Sequence, residues 1–124
     1  MPDRHEGPGT DDRIRMQHML DAAREAMGFA QGKPKAYFEH DRMLQLALVQ
    51  CVQMIGEAAA HVTDDGRSKA GAIPWQQIVG MRHILVHVYF DIDLDTVWAV
   101  VQDDLPDLAA DLQRVISVWE QTEA

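Results

Sequence analysis

One short stretch of this chain, Gly80-Met81-Arg82-His83-Ile84-Leu85-Val86-His87-Val88-Tyr89-Phe90, sets an arginine, two histidines and a tyrosine among large apolar residues. A guanidinium grips a phosphate through its planar fork and stabilises charge on a phosphorane-like transition state. An imidazole moves a proton near neutral pH, and a phenol offers a nucleophilic hydroxyl. Arg82 and His87 are the sharpest pair. Together they could cleave RNA without a metal, the histidine exchanging a proton with a ribose 2′-hydroxyl or the leaving oxygen, to leave a 2′,3′-cyclic phosphate. Helical geometry constrains this reading. Positions five apart lie roughly 140° around an ideal α-helix, so Arg82 and His87 do not share a face. His83 and His87 do share one, and Arg82 and Tyr89 nearly do. Arg82 and His87 therefore need a helix end, or a two-fold dimer interface, to meet.

Plainer roles are open to each of these residues. Arg82 could pair with a carboxylate on a partly exposed helix, and Tyr89 could be a core residue with a satisfied hydroxyl. Glu57, in Ile55-Gly56-Glu57-Ala58, is a carboxylate in an apolar helical pattern that could face the site, pair, or be exposed. His83-x-x-x-His87 has the spacing of two metal ligands but lacks the adjacent glutamate of the metalloprotease helix. Asp91-Ile92-Asp93-Leu94-Asp95 opens like a calcium loop, yet Thr96 stands where glycine belongs and Gln102 where glutamate does. Helix capping explains these aspartates better. No metal or cofactor is expected.

The elements that must position these residues are helical. At 124 residues, 47% apolar and 25% charged, the chain is one domain able to bury a single core. Residues 1–9 hold two prolines and two glycines without periodicity and read as a disordered lead; 10–122 read as the domain. Thr10 or Asp11 suits a helix N-cap, with Asp12 in the first turn and Gly32 as the stop. Ala36–Glu39 reads as a short helical turn or loop, and His40 or Asp41 can cap a longer helix running to about Val62. That helix is apolar around much of its circumference, which predicts burial against several neighbours or a second subunit. Residues 63–71 read as a polar loop. Ile73-Pro74-Trp75 starts the next helix, Gly80 bends the chain, and a further segment spans Met81 to Val88. Leu94, Trp98, Val101, Leu105, Leu108, Leu112, Val115 and Trp119 form a seam that crosses Pro106 in phase, as one kinked helix or two. The expected fold is all-α, an antiparallel bundle of four to five helices.

Charge narrows the partners. A net charge of −9 opposes broad attraction to nucleic acid or anionic membrane. It is uneven, however: seven aspartates and no lysine or arginine fall between Asp91 and Asp111, a candidate partner surface. Arg67, Lys69 and Arg82 outnumber Asp64 and Asp65 between His61 and Val88, so a small cationic site could still hold a phosphate. The lone Cys51 excludes an intrachain disulfide, and a reduced, cytoplasmic setting is the default. No apolar run approaches a membrane span, and the N-terminus lacks a signal-peptide core.

Taken in order, several stretches resemble the HepT-like toxins of the HEPN superfamily across roughly residues 13–118. Those proteins carry arginine, a polar residue, further residues and then histidine, often followed by x-Tyr; here that is Arg82-His83-Ile84-Leu85-Val86-His87-Val88-Tyr89. Around it stand His18-Met19-Leu20-Asp21-Ala22, Ile55-Gly56-Glu57-Ala58, Ile73-Pro74-Trp75 and Ile78-Val79-Gly80-Met81. Tyr89-Phe90, Asp93-Leu94, Val97-Trp98 and Asp104-Leu105-Pro106 follow in the family's order. His83 departs from the asparagine usual in this subfamily, although the wider superfamily takes Asn, Asp or His there. The resemblance implies a homodimeric ribonuclease toxin of a type VII-like toxin–antitoxin pair, acting on RNA. It implies Arg82 and His87 as catalytic and His83 as supporting. It also implies Tyr89 as the residue a minimal nucleotidyltransferase antitoxin modifies with AMP. A phosphate added there would place negative charge where the RNA phosphate must sit. A non-catalytic nucleotide- or partner-binding module on the same fold is the alternative.

Overall fold

The computed structural model describes residues 8–83 and 93–123, which are helical with no strand among them. The long elements are α1 (Pro8–Ala30), α3 (Arg42–Ala60) and a final run. That run joins α6 (Leu94–Ala99), a π-helical turn (Val100–Asp104) and α7 (Leu105–Glu123). Three short helices, α2 (Lys35–Glu39), α4 (Asp64–Lys69) and α5 (Trp75–Gly80), fill the connections. Cys51 Sγ donates to Glu25 across α1 and α3, and Thr63 meets Asp12, so these helices run antiparallel. Arg13 pairs with Glu120 at 3.9 Å and Arg24 donates to Gln113, so α7 also runs antiparallel to α1. α1 is thus the shared wall of the bundle, burying Met16, Met19, Leu20, Ala23 and Ala26 against both neighbours. α3 packs against α1, α2, α5 and α6.

Local chemistry sets most helix ends. Gly32 takes φ +75° after α1, the left-handed position that closes a helix at little cost for glycine. Asp41 caps α3 by accepting from the Leu44 amide at 3.1 Å, and Asp93 caps α6 by accepting from Thr96 N–H and O–H. The first helix starts at Pro8, ahead of the expected cap at Thr10 or Asp11. A proline suits a first turn because it has no amide hydrogen to satisfy there.

The polar 63–71 stretch is not a loop throughout, because it contains α4. Thr63 caps it by accepting from the Gly66 amide at 3.1 Å, and Thr63 Oγ1 donates to Asp12 Oδ2 at 2.6 Å. The Thr63 amide donates to Asp12 Oδ1 at 2.9 Å. Asp12, expected in the first turn, lies in the second because the helix starts at Pro8, and it has no exposed surface. A Cβ at Gly66 would fall within 2.6 Å of the Asp12 carboxyl carbon, so only glycine lets α4 sit this close.

Pro106 is met neither by a break nor by two separate helices. The Leu105 amide reaches five residues back to Val100, opening a π turn directly before the proline. The wider turn shifts the phase: Val97, Val101, Leu105, Leu108, Leu112 and Ile116 are buried, whereas Leu94, Trp98, Val115 and Trp119 are half-buried. Trp98 stacks on buried Phe38, ring centroids 5.0 Å apart. α3 is apolar and long enough, by length and composition, to cross a membrane, contrary to the expectation that no such run exists. A share of 56% of that window is buried inside the fold, which is how a core helix behaves.

Removing the Asp12 carboxylate strands two Thr63 donors, a loss of about 3 kcal/mol. Asp12→Ala should lower the urea midpoint accordingly with an unchanged slope, and Gly66→Ala should do the same by a clash. Burial and the Glu25 carboxylate push the Cys51 thiol up to about 12. The native thiol stays protonated where an unfolded one, near 8.5, ionises. Stability should therefore hold below pH ~8.5 and fall as pH rises from there towards 12. Iodoacetamide at pH 8 should label Cys51 only after denaturation.

Candidate active site

Arg82 reaches its position through α5. Pro74 precedes the helix, Ile78 and Met81 are buried, and the Met81 and Arg82 amides donate to Ile78 and Val79 carbonyls at 3.0 and 3.3 Å. The backbone at Arg82 then lies directly on α3 at Gly56. A Cβ at Gly56 would stand 2.6 Å from the Arg82 nitrogen and 2.9 Å from its Cβ. Glycine in mid-helix costs stability, about 1 kcal/mol relative to alanine. Its presence here is explained by this contact.

The next residue of α3 supplies the partner. Arg82 Nη1 lies 3.7 Å from Glu57 Oε1, with side chains 38% and 53% exposed. The pairing that the plainer reading foresaw is therefore present, and Glu57 is exposed. At that length and exposure an ion pair contributes only ~0–1 kcal/mol. A phosphate that offers the guanidinium two oxygens can displace Glu57 at little cost. His83, next in sequence, is exposed. His87 and Tyr89 lie outside the described residues.

The small cationic site expected between His61 and Val88 is not assembled as a cluster. Arg67 donates from Nη2 to the Ala59 carbonyl at 3.2 Å and stacks over the Trp75 ring at 5.7 Å. Trp75 Nε1 in turn donates to the Ala70 carbonyl at 3.0 Å. Lys69 pairs with Asp65 at 3.2 Å within α4. Both cations serve the α3–α4–α5 corner, and Arg82 is the one left facing a potential ligand.

Beside Glu57 an open groove of about 750 Å³ runs between α1 and α3. Its walls are Arg15 and His18 from α1, Gln50, Gln53, Met54 and Glu57 from α3 and His61 just beyond it, over Ala58. The motif-centred reading of the sequence did not connect these residues. The signal was available: polar side chains recur at steps of three and four along a helix that is otherwise apolar. Among the described residues no cluster of three or more metal-ligating side chains occurs.

Comparison with known proteins places this geometry in context. Residues 19–115 match the family described as Ribonuclease HepT-like. A Methanocaldococcus jannaschii protein named as an RNase is 31% identical over 97 residues, covering 78% of this chain and 89% of that one. A Thermococcus cleftensis protein named probable ribonuclease HepT is 31% identical over 75 residues, 60% of this chain and 68% of its own. A Caldanaerobacter subterraneus protein, also named as an RNase, is 27% identical over 101 residues, covering 82% and 90%. No solved structure matches.

Gly56→Ala should push the 81–83 segment off α3 while leaving the α1–α3–α7 core in place. The expected readout is a stability loss of about 1–3 kcal/mol and shifted amide resonances confined to residues near 56 and 82. A variant with unperturbed Arg82 resonances would contradict the close contact.

Proposed function

The chain belongs to the HepT-like ribonuclease family, and on that premise we propose that it is a metal-independent endoribonuclease toxin. The observation that carries the reading is Arg82: its backbone packs against Gly56, while among the described residues its guanidinium has only a long, exposed contact to Glu57. A firmly placed cation with a weak resident partner suits a phosphate that must come and go.

In the proposed reaction His87 takes the 2′-hydroxyl proton and the 2′-oxygen attacks the adjacent phosphorus. The phosphorus–O5′ bond breaks, and the departing oxygen takes a proton to leave a 5′-hydroxyl and a 2′,3′-cyclic phosphate. Arg82 bears the charge that builds on the non-bridging oxygens. Glu57 orients Arg82 until substrate arrives, and His83 supports the site as an exposed neighbour. The substrate is RNA, and no cofactor is required.

The active form is a homodimer acting in the cytoplasm. Met43, 82% exposed, and Leu46 leave an apolar strip at the start of α3 suited to a second copy. Because residues five apart on one helix face apart, the second copy also offers a route for Arg82 and His87 to converge. A cognate minimal nucleotidyltransferase silences the toxin by transferring AMP to Tyr89. The added phosphate sets negative charge against the position of the RNA phosphate and competes for Arg82.

Expressed alone, the wild-type chain should arrest growth and fragment RNA, while Arg82→Ala and His87→Ala each lose about 10²–10⁴ in cleavage rate. Fragments should end in a cyclic phosphate by mass spectrometry. Equal harmlessness of wild type and both variants would instead favour a non-catalytic binding module. Incubation with the partner and ATP should add one AMP to wild type and none to Tyr89→Phe; modification elsewhere would sink the silencing mechanism.

A further inference from the structure

We infer that the groove between α1 and α3 holds the single-stranded RNA that flanks the scissile phosphate, with Arg15 on a backbone phosphate. The inference rests on the ribonuclease reading and extends it from the reacting atoms to the substrate track. Continuity is the first argument. Glu57 lines the groove and also contacts Arg82, so among the described residues one side chain joins the groove to the candidate site. A strand whose phosphate sits at Arg82 meets this groove next.

The lining chemistry is the second. Glu57 is the one carboxylate among the described lining residues, and it already faces a guanidinium. Arg15 makes no ion pair among the described residues, unlike Arg67 and Lys69, which are committed to structure. In a chain of net charge −9, a groove that sets an uncommitted arginine beside two glutamines and two histidines, with Met54 as an apolar wall, suits a phosphate and its bases. Gln50 and Gln53, one helical turn apart, present amides that can both donate to and accept from base edges. His18 and His61 are exposed imidazoles whose faces can stack on unpaired bases.

Size selects the form of the ligand. The groove is open, and its volume of about 750 Å³ is of the order of the ~300–1,000 Å³ typical of small-ligand sites. Splayed, unpaired nucleotides enter such a space; a duplex, with its bases stacked inside, does not.

The test is equilibrium binding of a fluorescein-labelled single-stranded oligoribonucleotide to the His87→Ala chain, read by anisotropy across a sodium chloride series. Adding Arg15→Ala should weaken binding about tenfold and flatten the log–log salt slope by about 0.7, one phosphate contact. Arg15→Lys should restore the slope, which a merely misfolded protein would not do. Gln50→Ala with Gln53→Ala should weaken binding with the slope unchanged. The same sequence as a duplex should bind more weakly than the single strand. Unchanged affinity and slope for Arg15→Ala, in a protein whose wild-type form cleaves RNA, would overturn the groove and leave the ribonuclease reading standing. Absence of both RNA cleavage by wild type and RNA binding by His87→Ala would overturn both.

Discussion

The corner that delivers Arg82 depends on a carboxylate with no access to water. Asp12 sits on α1 at 0% exposure, and a buried charge without partners is several kcal/mol unfavourable. Thr63 alone satisfies both oxygens, one with its amide and one with its hydroxyl. That requirement pins the end of α3 to the start of α1 and turns the chain into α4. The consequences then propagate by contact. Arg67 of α4 holds the Ala59 carbonyl and covers Trp75, Trp75 anchors to Ala70, and α5 follows in a fixed direction to Met81 and Arg82. No step in this relay is strong by itself, but each leaves its successor little freedom.

At its end the backbone and side chain of Arg82 are held in very different ways. The backbone lies so close to Gly56 that no side-chain atom could be inserted between them. The side chain has, among the described residues, only a 3.7 Å exposed ion pair. Arg67 offers the contrast, with the same guanidinium bonded to a carbonyl and stacked on an indole. Two arginines fifteen positions apart thus serve opposite ends, one spent on the fold and one kept available. Composition and local charge cannot tell them apart, because the difference lies in what each meets from elsewhere in the chain.

The same distinction separates what sequence pattern could reveal from what it could not. Gly32, Asp41 and Asp93 act on their own backbone within three residues, and each was readable as a stop or cap. The all-helical class followed from apolar periodicity, which is also local. α4 was missed because a six-residue helix has little intrinsic stability, and its support comes from Asp12, 51 residues away. Pro106 could be recognised as a disturbance, but whether the helix kinks or takes a π turn is decided by packing against α1. Gly56 and Glu57 stood out as a matched stretch, yet the reason for a mid-helix glycine appears only once Arg82 lies on it. For Arg82 and His87, spacing alone already ruled out a shared helical face, which no local pattern could resolve further.

Charge sets a last constraint on how RNA could reach such a site. Between Asp93 and Asp111 the acidic run is partly absorbed: Asp93 caps a helix, Asp95 meets Lys35 at 2.6 Å and Asp111 meets Arg114 at 2.6 Å. Asp103, Asp104 and Asp107 have no cationic partner among the described residues. Burial, with Asp103 and Asp107 beside it, raises the Asp104 carboxyl above its ordinary range. This side borders α5 at Gln77 and Ile78, the helix that ends in Arg82. A polyanion is therefore repelled over distances up to the Debye length, about 8 Å at physiological salt, and attracted only on contact. Steering cannot supply the affinity, so it must come from short-range bonds to bases and a few phosphates. A ligand that can expose its bases satisfies that condition, and one that presents only its phosphates does not.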